Sequence, residues 1–214
     1  AWEEELHACY NGTPKSPIMQ ALQDVIIHFQ LPIDPFLDLI TANRIDQRQH
    51  RYATYKELLE YCRYSANPVG RLVLMLLKRD SPKARKYSDA VCTALQLTNF
   101  WQDVAIDLEK GRIYLPLEDM QRFGYKEEEL ASCTYNQAFR DLMAFQAARA
   151  EKLFQQGEGL IPMLPRRFRI DIALFSMGGR AILRSLERVG YDVFNRRPTL
   201  SKTKKTLLLF QALF

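Results

Sequence analysis

The chain has 214 residues, 47% of them hydrophobic and 26% charged, with a formal net charge of +5. That length and balance suit one globular domain with a sizeable core, and they exclude a disordered tail or two separately cored domains. The modest basic excess suits a polyanion such as a diphosphate, a phospholipid surface or a nucleic acid, but no Lys/Arg block with interleaved aromatics supports nucleic acid.

The whole chain reads as helix. Glycine is scarce, nine in all, and no stretch alternates between turn signals as a half-buried strand does. Trp2-Glu3-Glu4-Glu5-Leu6 is already helical in pattern with no cap before it, so the chain is expected to begin inside an element. Asn11-Gly12-Thr13-Pro14 and Leu31-Pro32 read as loops. Thr54-Tyr55-Lys56-Glu57 has the form of a capping box and opens the helix that carries Tyr61. Pro68 cannot donate to a helical ladder and disfavours helical geometry at Asn67, so a break is expected between Tyr61 and Leu72. Such a break frees backbone groups that a ligand can satisfy; an ordinary helix-turn-helix corner explains it equally well.

Ser81-Pro82 places an N-cap before a proline at the first helical position. The helix it opens is expected to run from about Pro82 to about Asp107. Long amphipathic patterns cover roughly 134 to 157 and 167 to 188, and Arg196-Arg197-Pro198 reads as a loop. Lys202, Lys204 and Lys205 precede Leu207-Leu208-Leu209-Phe210, which reads either as a terminal helix docked on the core or as a basic, apolar edge that touches a membrane. About eight helical stretches result, with no internal repeat and no boundary: an all-α single domain over 1–214.

Chemistry concentrates between Cys92 and Tyr114. Gln96, Asn99, Asp103 and Asp107 are spaced by three, four and four, which puts them in one narrow stripe of a helix. Around the stripe stand Leu95, Leu97, Phe100, Trp101, Val104, Ile106 and Leu108, so the apolar surface is wide and the polar strip thin, the reverse of a surface helix. The carboxylates are therefore expected to face an interior cavity. Two like charges at this spacing repel, more so at low dielectric, and call for a cation; carboxylate oxygens with room for water and a phosphate suit Mg²⁺. Arg112 and Tyr114 follow just beyond, where an arginine can clamp a leaving diphosphate. A lone DxxxD on a helix is just as readily a solvated pair, and the pattern alone leaves the two readings level.

Other chemistries find no support. Cys9, Cys62, Cys92 and Cys133 form no CxxC pair, which fits a reducing compartment, and His7, His28 and His50 form no HExxH motif. No Walker loop, GxGxxG motif, signal peptide or membrane-spanning apolar run is present in these residues.

Tyr61 to Leu74 (YCRYSANPVGRLVL) and Ala94 to Pro116 (ALQLTNFWQDVAIDLEKGRIYLP) resemble the two signature regions of squalene and phytoene synthases, the head-to-head prenyl synthases. The wording is most similar to the hydroxysqualene synthase branch of hopanoid biosynthesis. That branch has Ser-Ala-Asn-Pro-Val-Gly-Arg where squalene synthases usually carry Val-Ala-Gly, and Gln, as at Gln102, where others place Arg. The resemblance implies an all-helical bundle around a central cavity in which two Asp-rich motifs hold Mg²⁺ on an isoprenoid diphosphate. Asp103 and Asp107 match the second motif, with Asn99 as a further metal ligand. Gln96, Asn99 and Arg112 are implied at the diphosphate, and Tyr61, Arg112 and Tyr114 as catalytic residues.

Asp46 has a counterpart to which no role is given. Asp34 and Asp38 have the motif spacing but stand between the motif regions. The first motif is expected upstream of Trp2, so the chain is expected to lack N-terminal helices and to be inactive alone. The implied reaction converts presqualene diphosphate to hydroxysqualene without NADPH, in the cytoplasm or peripherally at the inner membrane. Squalene, dehydrosqualene or phytoene synthesis is the alternative, and a non-catalytic assembly factor a further one.

Overall fold

The computed structural model describes residues 1–213, with the side chains of Lys205 and Leu213 outside the description. Among the described residues it is all helix, with twelve α-helices and one 3-10 turn. In chain order these are α1 (Trp2–Asn11), α2 (Pro17–Phe29), α3 (Asp34–Asp46), α4 (Tyr55–Ser65), α5 (Asn67–Leu76), α6 (Pro82–Gln102), α7 (Val104–Glu109), α8 (Leu117–Arg122), α9 (Glu127–Ala131) and α10 (Gln137–Gly157). The 3-10 turn (Glu158–Met163), α11 (Arg166–Arg188) and α12 (Lys202–Leu213) complete the chain. The count exceeds the eight expected because the helix expected over about 82–107 is split at Asp103 and because α8 and α9, six and five residues long, are too short to display a period.

The capping chemistry appears where expected. Thr54 Oγ1 accepts from the Glu57 N–H at 3.2 Å, although the Glu57 carboxylate reaches back to the N–H of Ala53 (2.8 Å) and not to that of Thr54. Ser81 Oγ accepts from the Ala84 N–H at 3.2 Å. The α4–α5 break falls at Ala66 (φ −116°, ψ −48°), one residue before the expected Asn67, which becomes the first residue of α5. The buried Asn67 side chain accepts from Thr93 Oγ1 at 2.9 Å, so the corner is pinned to α6 from within.

Helix α6 is the axis of the core, with ten of its 21 residues buried. Helix α10 lies along it and buries Phe139, Leu142, Met143 and Phe154, each worth about 1.5–3 kcal/mol of transfer free energy. Helix α11 crosses closely at Gly179, where a Cβ would lie 2.4 Å from Phe154 Cζ and 2.9 Å from Leu95 Cδ2.

The stretch after α7 is held on two sides. Backbone N–H groups of Ile113, Leu117 and Glu118 donate to the carbonyls of His50, Tyr52 and Ala53 at 2.9–3.0 Å. Below it, the fully buried Asp119 accepts from Gln146 Nε2 (2.8 Å) and from Arg149, whose guanidinium stacks 4.1 Å from the Tyr55 ring centroid. At the other end α12 packs on α11 through the buried Leu208, while Leu207, Leu209 and Phe210 stay exposed. No described helix is long and apolar enough to cross a membrane.

Candidate active site

One face of α6 changes character along its length. Ser88, Cys92, Leu95, Asn99 and Asp103 follow spacings of four, three, four and four, which stacks them in a single stripe. The first three line an apolar cleft of about 210 Å³, opposite Val69, Gly70 and Val73 of α5. Gly70 permits the approach: a Cβ there would stand 2.3 Å from Ser88 Oγ and 2.5 Å from Cys92 Sγ. Burial pushes the Cys92 thiol up to about 11.

Towards the C-terminal end of α6 the stripe turns polar. Gln96 is half-buried and Asn99 exposed. The helix expected to continue to Asp107 stops at Gln102, because Asp103 takes φ −109°, ψ 16°, and α7 then resumes. The hydrogen-bond ladder survives the break: the Asp103 N–H donates to the Asn99 carbonyl at 2.9 Å, and the Asp107 N–H to the Asp103 carbonyl at 2.8 Å. The break therefore re-aims the two carboxylates without separating their backbones.

Each carboxylate has its own setting. Asp103 is gripped bidentately by Arg197, Nε to Oδ1 at 2.5 Å and Nη2 to Oδ2 at 3.1 Å. Beside it the buried Gln102 donates to the Pro198 carbonyl at 2.5 Å, so the loop through Arg197 and Pro198 lies across the end of α6. Asp107 is half-buried next to a void of about 10 Å³ shared with Phe100, Arg112 and Tyr114, room for about one water. Burial first, and the charge of Asp103 second, raise its carboxyl above the ordinary value, while Lys110 and Arg112 pull the other way. The expected shared interior cavity is thus replaced by an open rim at Asp103 and a water-sized void at Asp107.

Among the described residues no group of three or more His, Cys, Asp or Glu side chains gathers as a metal cluster. Asp103 and Asp107 stand four residues apart as a pair, with the exposed amide of Asn99 one turn before Asp103. They fit Mg²⁺, which binds through one or two carboxylates and completes its shell with water and substrate phosphate. The Arg197 guanidinium on Asp103 marks the same spot as cation-seeking.

The aromatic residues converge behind the acidic end. Phe100 and Tyr114 stack face to face, centroids 3.8 Å apart at 9°. Tyr61 lies 6.0 Å from Tyr114, 6.2 Å from Phe100 and 5.6 Å from Tyr52. Its hydroxyl donates to Asp46 Oδ1 at 2.7 Å, and burial together with that bond drives the phenol far above its ordinary value. The Tyr52 hydroxyl is buried without a hydrogen-bond partner among the described residues. Tyr61, Tyr114, Arg112 and Asp107 are therefore drawn into one cluster, and Asn99 and Asp103 into the adjoining rim.

Asp46 acquires a partner that spacing had not given it. Tyr52 and Arg197 had drawn no functional reading. Arg197 stands 94 residues from Asp103, and no local pattern signals such a pair.

A family model described as squalene/phytoene synthase matches residues 1–204. A 15-cis-phytoene synthase from Synechocystis sp. is 37% identical over 220 residues, covering 97% of this chain and 65% of that protein; the chain thus spans just under two thirds of that relative. The crystal structure of squalene synthase HpnC from Alicyclobacillus acidocaldarius superposes with TM-score 0.87 at 42% identity, covering 89% of this chain and 72% of the other. A dehydrosqualene synthase in complex with ligand gives TM-score 0.91 at 30% identity, covering 99% and 75%.

Proposed function

The chain belongs to the squalene/phytoene synthase family, and from that premise we propose that its protein ionises an isoprenoid diphosphate, presqualene diphosphate, and releases hydroxysqualene. The observation that carries this reading is the two-part face of α6. An apolar cleft lined by Ser88, Cys92 and Leu95 is followed along the same helix face by the polar Asn99 and Asp103, an order that suits a hydrocarbon with an anionic head.

Asp103, Asp107 and Asn99 would hold Mg²⁺, which would supply positive charge to the leaving diphosphate. Arg112 and Arg197 add guanidinium donors at the same end, and Gln96 an amide. The C–O bond breaks heterolytically, and diphosphate departs with the electron pair. The cyclopropylcarbinyl cation opens its ring against the Tyr61, Phe100 and Tyr114 wall, whose ring faces are electron-rich. Water then forms the new C–O bond and loses one proton. Tyr61 accepts that proton on its oxygen while passing its own to Asp46 along the 2.7 Å hydrogen bond. No reductant enters this sequence.

The complete protein, given presqualene diphosphate and Mg²⁺ without NADPH, is expected to yield hydroxysqualene. Squalene formed only with NADPH would move the protein to another branch. The competing reading is condensation of geranylgeranyl diphosphate to phytoene, which the 37% identical phytoene synthase favours; phytoene from that substrate would establish it. A non-catalytic assembly role would leave every such diphosphate intact.

The exposed Leu207, Leu209 and Phe210 of α12, next to Lys202 and Lys204, support peripheral contact with an anionic lipid surface. Sedimentation with anionic vesicles at low and high salt tests this, and no binding at low salt removes it.

A further inference from the structure

The aromatic wall contains a hydroxyl that its packing does not use. Tyr52 belongs to the strapped segment 50–53, where its carbonyl accepts from the Leu117 N–H at 3.0 Å, and it is 2% exposed. Its ring lies 5.7 Å from Tyr114 at 21° and 5.6 Å from Tyr61 at 43°, so it packs against both phenols. The Tyr61 hydroxyl is taken by Asp46, but that of Tyr52 has no hydrogen-bond partner among the described residues. Buried polar groups are almost always paired, and a phenylalanine would fill this space without burying an oxygen. Packing therefore accounts for the ring and not for the hydroxyl. The neighbours of that hydroxyl are also those of Tyr61. Burial first, then Tyr114, Asp46 and Cys62, raise the Tyr52 phenol far above its ordinary value, while Arg112 pulls the other way. Burial, the bond to Asp46 and the nearby Tyr114 do the same to Tyr61. Two phenols that share Asp46 and Tyr114 turn their oxygens towards one region, and each oxygen keeps lone pairs with which to accept.

We infer that Tyr52 is a positioning residue whose hydroxyl, together with that of Tyr61, holds the water that captures the carbocation. The inference rests on the proposed ionisation of presqualene diphosphate beside this wall. One O–H of the water donates to the Tyr61 oxygen and the other to the Tyr52 oxygen, which leaves a lone pair of the water free to form the new C–O bond. The proton on the Tyr61 side departs through Tyr61 to Asp46, and the proton on the Tyr52 side stays as the hydrogen of the alcohol. Diphosphate has already left with its electron pair when this happens. Tyr52 therefore governs what the cation becomes and not how fast it forms.

The test compares full-length wild type with Tyr52→Phe on presqualene diphosphate and Mg²⁺ without NADPH. It measures diphosphate release, the organic products by gas chromatography, and the thermal melt of each protein. Tyr52→Phe is expected to melt no lower than wild type, because it deletes an unpaired buried hydroxyl and keeps the ring. Diphosphate release is expected to stay within about threefold of wild type, since ionisation precedes capture. The share of hydroxysqualene among the products is expected to fall at least tenfold, in favour of hydrocarbons formed when the cation loses a proton. An unchanged product share overturns the inference. So does a melting temperature lower by several degrees, or a loss of diphosphate release in proportion to the loss of hydroxysqualene, because either result makes the hydroxyl a structural group. All three results leave the proposed function standing. If wild type releases no diphosphate from this substrate, or releases it and forms no hydroxysqualene, the proposed function itself falls and takes the inference with it.

Discussion

Tyr61 and Asp46 share a 2.7 Å hydrogen bond that ties the middle of α4 to the last residue of α3. The bond gives Asp46 a job that its position in the chain never suggested. It also keeps the Tyr61 phenol protonated throughout the working pH range, because burial and the carboxylate both oppose loss of the proton.

Replacing Tyr61 with Phe removes the donor and leaves Asp46 half-buried without it. A loss of about 1–2 kcal/mol is expected, a hydrogen bond to a charged group at the low end because Asp46 is partly solvated. Asp46→Asn separates structure from chemistry. Its amide oxygen still accepts from Tyr61, so the melting temperature should stay close to wild type. The amide cannot hold the relayed proton, so turnover should fall about a hundredfold. Equal losses of stability and turnover in Asp46→Asn would remove the relay.

Arg197→Ala frees Asp103 from its guanidinium. The pair is partly exposed, so stability should change by less than about 1 kcal/mol. Magnesium titrated calorimetrically without substrate should bind more tightly, since a competing cation has gone. Farnesyl thiodiphosphate should bind more weakly, since a head-group donor has gone with it. Movement of both affinities in the same direction would contradict this dual placement.

Gly70→Ala forces a methyl group to within 2.3 Å of Ser88 Oγ and 2.5 Å of Cys92 Sγ. Overpacking of this kind costs about 1–3 kcal/mol, and the melting temperature should fall by several degrees. The cleft must also narrow or shift, so the variant should lose farnesyl thiodiphosphate affinity beyond what its lower stability explains.

Cys92 lines the cleft with its thiol pushed up to about 11 by burial, whereas Cys133 is exposed. Peptide mapping after iodoacetamide at neutral pH should show Cys133 modified first and Cys92 slowly. The Cys92 rate should climb as pH approaches 11, and farnesyl thiodiphosphate should suppress it. The thiol also bears on stability. Its folded value lies above the ordinary one, so as pH rises between the two the unfolded chain gives up its proton first. Stability therefore falls over that interval.

Much of this architecture was legible from the residues. The caps at Thr54 and Ser81, the break near Pro68 and the long helices at 137–157 and 166–188 follow from local rules that no tertiary contact overrides. The split at Asp103 was not legible. The apolar period continues through it, and the chain turns there while the Arg197–Pro198 loop contacts Gln102 and Asp103 from far along the sequence. At the site, periodicity put Asn99 and Asp103 on one face and the resemblance singled out Tyr61 and Tyr114. The partners that hold them, Asp46 and Arg197, belong to other elements and could emerge only once the chain had folded.

The strapping of residues 113–118 against 50–53 has an implication for how such a chain can vary. Three main-chain bonds carry that join, so it is indifferent to side-chain identity but intolerant of a change in length. Point substitutions at the exposed His50, Arg51 and Ala53 can drift, while the buried Tyr52, Ile113, Tyr114 and Leu115 are held by packing. A single inserted or deleted residue in one of them would slide Tyr52 out of register with Tyr114 and unstack the aromatic wall at once.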